Sequence, residues 1–138
     1  MQADKGTVMK VGLLEDDVAI QEMLRLVLQE ENYSVTIYPT AEECLKAFLD
    51  HEDEQVSPPI DLLIVDLRLS RAMSGTEVIQ QLRESSRLSS LPIILTTASA
   101  FTNKEELQRL HLTLVEKPFD VDEIVKVIKD LTHPSSLY

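Results

Sequence analysis

Four apolar runs in this chain of 138 residues end on polar groups of a definite kind. "KVGLLEDD" carries Leu13 and Leu14 into Glu15, Asp16 and Asp17. "DLLIVDLRLS" carries Leu62 to Val65 into Asp66. "PIILTTA" ends on hydroxyls, the last being Thr97, and "LTLVEKPF" ends on Lys117. If these ends meet, three carboxylates face an ammonium and an alcohol. Two carboxylates about 5 Å apart repel by roughly 3 kcal/mol at an effective dielectric near 20, so three crowded acids need protons or a cation. Hard oxygen donors without His or Cys suit Mg²⁺, which keeps several waters and takes only one or two protein carboxylates. Such an ion leaves room for a phosphoryl oxygen. Lys117 and Thr97 could then help neutralise a transferring phosphoryl group, with Asp66 attacking phosphorus to form an aspartyl phosphate.

The elements needed to gather these groups are legible. Val8–Leu14 reads as a strand. After Asp17, which reads as a helix cap, Ile20, Met23, Leu24, Val27 and Leu28 mark one face of an amphipathic helix. Tyr33–Pro39 reads as a second strand, and "TAEE" from Thr40 opens a capping box with Glu43. "HEDEQVSPP" is a polar loop before the strand from Leu62. A helix from Gly75 turns Val78, Ile79 and Leu82 inward, and Ile93–Thr97 is the fourth strand. "TNKE" (Thr102–Glu105) opens a short helix to Leu110. "LTLVE" is the fifth strand, and "DVDE" (Asp120–Glu123) opens a last helix burying Val121, Ile124, Val125, Ile128 and Leu131. Five βα units with strands apolar throughout predict an α/β fold: a doubly wound parallel sheet covered by helices on both faces. Ligands then bind at the carboxyl ends of the strands, near a reversal of strand order. All four run ends stand there.

Composition narrows the alternatives. A formal charge of −11 argues against direct nucleic acid binding, which needs a basic patch. No apolar run approaches a membrane span, and "MQADKGTVMK" lacks the apolar stretch of a secretory signal. The single cysteine, Cys44, excludes an internal disulfide and reads as a small buried hydrophobe. A cytoplasmic setting is expected. His51, His111 and His133 are too scattered for a structural zinc site, and no Gly-rich phosphate loop occurs.

From about Lys10 to Leu131 the chain resembles a receiver domain of bacterial two-component response regulators, in the CheY-like superfamily. "LLEDD" resembles that family's acidic pair, "LLIVDLRLSRAMSGTEVIQQLR" its phosphoacceptor segment, "PIILTTASA" its switch hydroxyl segment and "VEKPF" its Lys-Pro segment. The resemblance implies a flavodoxin-like strand order 2-1-3-4-5, with residues 1–9 as an N-terminal tail, 10–131 as the receiver and 132–138 as a tail or linker start. It implies that Asp66 is the phosphoacceptor and that Thr97 and Lys117 assist. Mg²⁺ would be bound by Asp16, Asp66 and the backbone carbonyl of Arg68, with Glu15 acting mainly through water. It also implies a cis bond before Pro118, and a sensor histidine kinase or phosphotransfer protein as donor in a phosphorelay. The chain would catalyse only its own phosphorylation and dephosphorylation, switching a protein–protein surface. A homodimer through the fourth and fifth helices is a further expectation.

The sequence departs from that family at identifiable places. Leu114 stands where an aromatic is usual, three residues before Lys117, and a leucine has no ring edge or hydroxyl to swing. The segment from Thr97 to Lys117 is about two residues short, and Ser70 stands where proline is frequent. Arg68 and Ser99 occupy positions that tune phosphoryl lifetime in the family. One competing reading is a phosphorylation-independent interaction module on the same fold. A second is a Mg²⁺-dependent phosphatase, opposed by Arg68 where such enzymes want a second acid. A third, a flavin-binding relative, is opposed by the scarcity of aromatics.

Overall fold

The computed structural model describes residues 8–49, 58–68, 73–98 and 104–132. Its strands are β1 (Lys10–Leu14), β2 (Ser34–Tyr38), β3 (Leu62–Asp66), β4 (Ile93–Thr97) and β5 (Thr113–Glu116). The helices are α1 (Val18–Glu30), α2 (Ala41–Leu49), α3 (Gly75–Arg83), α4 (Lys104–Leu110) and α5 (Val121–Thr132), with a short 3₁₀ turn at Ser86–Leu88. The strands form one parallel sheet in the order β2-β1-β3-β4-β5. This is the doubly wound, flavodoxin-like arrangement, and its order reverses between β1 and β3.

Every residue of β3 and β4 is buried, because each of these strands is covered on both faces. One core layer joins Ala41, Cys44 and Phe48 of α2, Val78, Ile79 and Leu82 of α3, and Leu110 of α4 to one face of the sheet. The other joins Leu24 and Leu28 of α1 and Ile124 and Ile128 of α5 to the opposite face. Cys44 is wholly buried, and burial pushes its thiol up to about 12.

Local signals place the helix ends. The Asp17 carboxylate accepts the N–H groups of Ala19 and Ile20 at 2.9 and 3.2 Å, leaving fewer orphan donors in the first turn of α1. Thr40 accepts the Glu43 N–H at 3.1 Å, as the capping box requires. α3 carries a further capping box between Ser74 and Glu77.

Several details differ from the sequence reading. Val121 and Leu131 of α5 are half-buried rather than buried, and β2 spans Ser34–Tyr38 rather than Tyr33–Pro39. β1 begins at Lys10 rather than Val8, and Val8 is exposed. Met23 is not a core residue: it is 39% exposed and lines the rim of a groove with Ile20 and Phe119. The inward arc of α1 is narrower than its apolar arc, so Met23 falls at the edge. The loop at 51–57, Thr102 of the "TNKE" box, Ser70, Ser99 and the tail at 133–138 lie outside the described residues.

Candidate functional site

Glu15 follows β1 and Asp66 ends β3, so both stand at the carboxyl edge of the sheet where its order reverses. One carboxylate oxygen from each of Glu15, Asp16 and Asp66 lies within 4.8 Å of the others. Glu15 and Asp66 are buried, while Asp16 is half-buried. Lys117, just past β5, reaches back so that Nζ stands 3.2 Å from Asp66 Oδ1 and 4.0 Å from Glu15 Oε1.

Burial pushes the Glu15 carboxyl up from its ordinary value to about 7, with the neighbouring Asp66 charge adding to the shift. The Asp17 N–H, which donates to Glu15 Oε2 at 3.2 Å, and the Lys117 charge pull the other way without cancelling it. One ammonium therefore undercompensates the acids. Three oxygen donors with residual negative charge, one of them open to solvent, fit a hard divalent cation such as Mg²⁺.

The remaining expected site residues lie at the ends of the neighbouring strands. Thr97 ends β4, is buried, and its carbonyl accepts the Lys117 N–H at 2.6 Å. Arg68 is exposed, and its backbone N–H donates to Asp66 Oδ1 at 3.4 Å. The Lys117–Pro118 bond is cis. Leu114 is half-buried against the core layer under α2 and α3, opposite Leu95 in the sheet register.

Two positioning features escaped the sequence reading. A Cβ on Gly75 would lie 2.4 Å from the Asp66 carbonyl oxygen and 3.0 Å from Leu67 Cα, so α3 can start against the Asp66 backbone only with glycine there. The Gly75 N–H closes this contact on the Leu67 carbonyl at 2.9 Å. The second is the Gln21 side-chain amide, which donates to the Glu15 carbonyl at 2.6 Å. A glycine at the start of α3 hints at a close approach, but nothing in the spacing of Glu15 and Gln21 signals their bond. Beside Lys117, a groove of about 440 Å³ is lined by Ile20, Met23, Ala98, Pro118 and Phe119.

Comparison with known proteins agrees with this geometry. The response regulator receiver domain model matches residues 11–129. A probable transcriptional regulator, ycf29 of Porphyra purpurea, is 26% identical over 128 residues; the match covers 91% of this chain and 57% of that relative's length. The chemotaxis response regulator CheY4 of Vibrio cholerae superposes with a TM-score of 0.76 at 24% identity, over 91% of this chain and 99% of CheY4. The response regulator TrrA of Thermotoga maritima, solved in complex with Mg²⁺ and BeF, has a TM-score of 0.74 at 28% identity, covering 90% of this chain and 99% of TrrA.

Proposed function

The chain belongs to the response regulator receiver domain family of two-component signalling, and from that premise we propose that it is a Mg²⁺-dependent phosphoryl acceptor whose acceptor is Asp66. An Asp66 carboxylate oxygen attacks phosphorus of a donor phosphohistidine, the P–N bond breaks, and the imidazole leaves and takes up a proton. Attack by water later releases inorganic phosphate and restores the carboxylate. Glu15, Asp16, Asp66 and the Arg68 carbonyl would hold Mg²⁺, with Glu15 reaching it through water. The bound ion would neutralise charge on the phosphoryl oxygens. Lys117 follows the new charge from Asp66 to the phosphoryl group, and Thr97 supplies a hydroxyl donor. The domain modifies only itself.

The observation that carries this reading is the convergence of Lys117, at 3.2 Å, on an Asp66 that already shares a cluster with two further acids. The donor is a sensor histidine kinase or phosphotransfer protein. The groove beside Lys117 and the exposed Val18 and Leu26 of α1 offer it apolar contact next to the crevice. Among the described residues no helix is long and apolar enough to cross a membrane. Phosphorylation adds about −1.5 to −2 charge at pH 7 and switches a protein-binding surface, with pairing of two copies as one output.

Phosphoramidate, which carries a P–N bond, tests the reading. Intact mass should show one phosphoryl group gained by the wild type with Mg²⁺, and none by Asp66→Asn. Size-exclusion before and after reports pairing. A chain that stays unmodified beside a reactive control receiver supports instead a phosphorylation-independent interaction module, the reading that Leu114 favours.

A further inference from the structure

Asp16 is the least enclosed member of the acid cluster, and it follows the last residue of β1 by only two positions. The sheet ladder stops at the pair Leu14 and Tyr38, and the next backbone bond, Glu15 N–H to the Tyr38 carbonyl, is long at 3.3 Å. Beyond that point the backbone direction must be fixed by something other than the sheet. On the far side, Asp17 is gripped by α1: its carboxylate takes the N–H groups of Ala19 and Ile20, and its carbonyl accepts the Gln21 N–H at 2.9 Å. On the near side, the half-buried Gln21 turns its side-chain amide back and donates to the Glu15 carbonyl at 2.6 Å.

We infer that Gln21 is a positioning residue for cation binding: its amide clamps the peptide between Glu15 and Asp16 and so aims the Asp16 carboxylate at Asp66. The Glu15 carbonyl belongs to that peptide. Holding the oxygen fixes the peptide plane, and with it ψ of Glu15 and φ of Asp16, the two rotations that swing the Asp16 side chain into or out of the crevice. A ligand already aimed loses less freedom when it binds. The inference rests on the proposed Mg²⁺ role of Asp16 but concerns a different residue. Releasing the clamp weakens cation binding and leaves the phosphoryl step intact once the site is saturated.

The test is Gln21→Met, which keeps length and removes the donor, with Gln21→Ala as a second variant that cannot overpack. Mg²⁺ affinity of the unphosphorylated chain by titration calorimetry should fall by about threefold to tenfold, the effect of one lost hydrogen bond. The rate of labelling at saturating Mg²⁺ should stay at the wild-type value. In metal-free protein, amide hydrogen exchange at Asp16 and Asp17 should speed up. Unchanged Mg²⁺ affinity overturns the inference, as does a fall in melting temperature without a change in affinity. Failure of both variants to fold also overturns it, by making Gln21 a folding residue. If the wild type binds no Mg²⁺, the functional reading fails by itself, and the metal-free exchange at Asp16 still decides whether Gln21 holds that peptide.

Discussion

The Lys117 ammonium stands 3.2 Å from Asp66 Oδ1, across 51 residues of sequence, and 4.0 Å from Glu15 Oε1. It is the counter-charge paired with both buried acids of the cluster, and under the proposed function it would move when a phosphoryl group arrives. Lys117→Met should lower the stability of metal-free protein by about 1–3 kcal/mol at pH 8, less than for a fully buried pair because Lys117 keeps some solvent contact. The loss should shrink at pH 5, where Glu15 is protonated, and with saturating Mg²⁺. Urea unfolding under the three conditions checks it; equal losses in all three would remove Lys117 from the cluster's charge balance.

Glu15 sets the pH dependence. Its folded pKa is about 7 against 4.5 for the ordinary carboxyl, so the folded chain binds this proton more tightly than the unfolded one. The resulting stability is full below pH 4.5 and is lost as pH rises through 7, a change on the order of 3 kcal/mol. Metal-free protein should therefore lose this contribution between pH 4.5 and about 7.5. Mg²⁺ affinity should rise over the same window, as the proton ceases to compete. Calorimetric titrations at pH 5.5 and 8 compare the two states, and a flat affinity would mean that Glu15 does not sense the ion.

Gly75→Ala puts a methyl carbon 2.4 Å from the Asp66 carbonyl oxygen, and backbone there cannot step aside as a side chain can. A cost of about 1–3 kcal/mol is expected. Folded variant should also be labelled more slowly than wild type, because α3 must shift the backbone of Asp66, the proposed acceptor. Denaturant unfolding and labelling rate measured together check both; wild-type values in each would mean the close approach is relaxed cheaply.

Arg83 tests the opposite end of α3. Its guanidinium donates to the carbonyls of Leu110 at 2.8 Å, Leu88 at 2.8 Å and His111 at 2.9 Å, and burial holds its pKa below the usual value. Arg83→Met should cost about 2–4 kcal/mol by orphaning those carbonyls. Amide exchange should rise across α4 while Asp66 is still labelled, since the Arg83 guanidinium holds the carbonyls of Leu88, Leu110 and His111. Loss of labelling in a folded variant would contradict this division.

Much of this was legible in the chain. Glu15, Asp66, Thr97 and Lys117 each end an apolar run, and strand ends of a parallel sheet share one edge, so run ends alone predict neighbours 51 residues apart. The period of α3 and α5 likewise named Val78, Ile79, Leu82, Ile124 and Ile128 as inward, and all are buried, whereas Val121 and Leu131, named with them, are only half-buried at the ends of α5. What was not legible depends on contacts between elements. The approach of Gly75 to Asp66, the three carbonyls on Arg83 and the Gln21 bond to Glu15 carry no periodic signal. Met23 fits the apolar period of α1 and still lies on a groove rim, because period encodes a face and not how far the neighbouring element covers it.

The central claim is that the phosphoryl group lands on Asp66 and needs a divalent cation to do so. Borohydride reduction after reaction with acetyl phosphate converts an aspartyl phosphate to homoserine, which peptide mass spectrometry places along the chain. Homoserine at the position of Asp66 alone, and none when Mg²⁺ is chelated, is the predicted result. A label at any other residue, or one at Asp66 indifferent to chelation, would contradict the account.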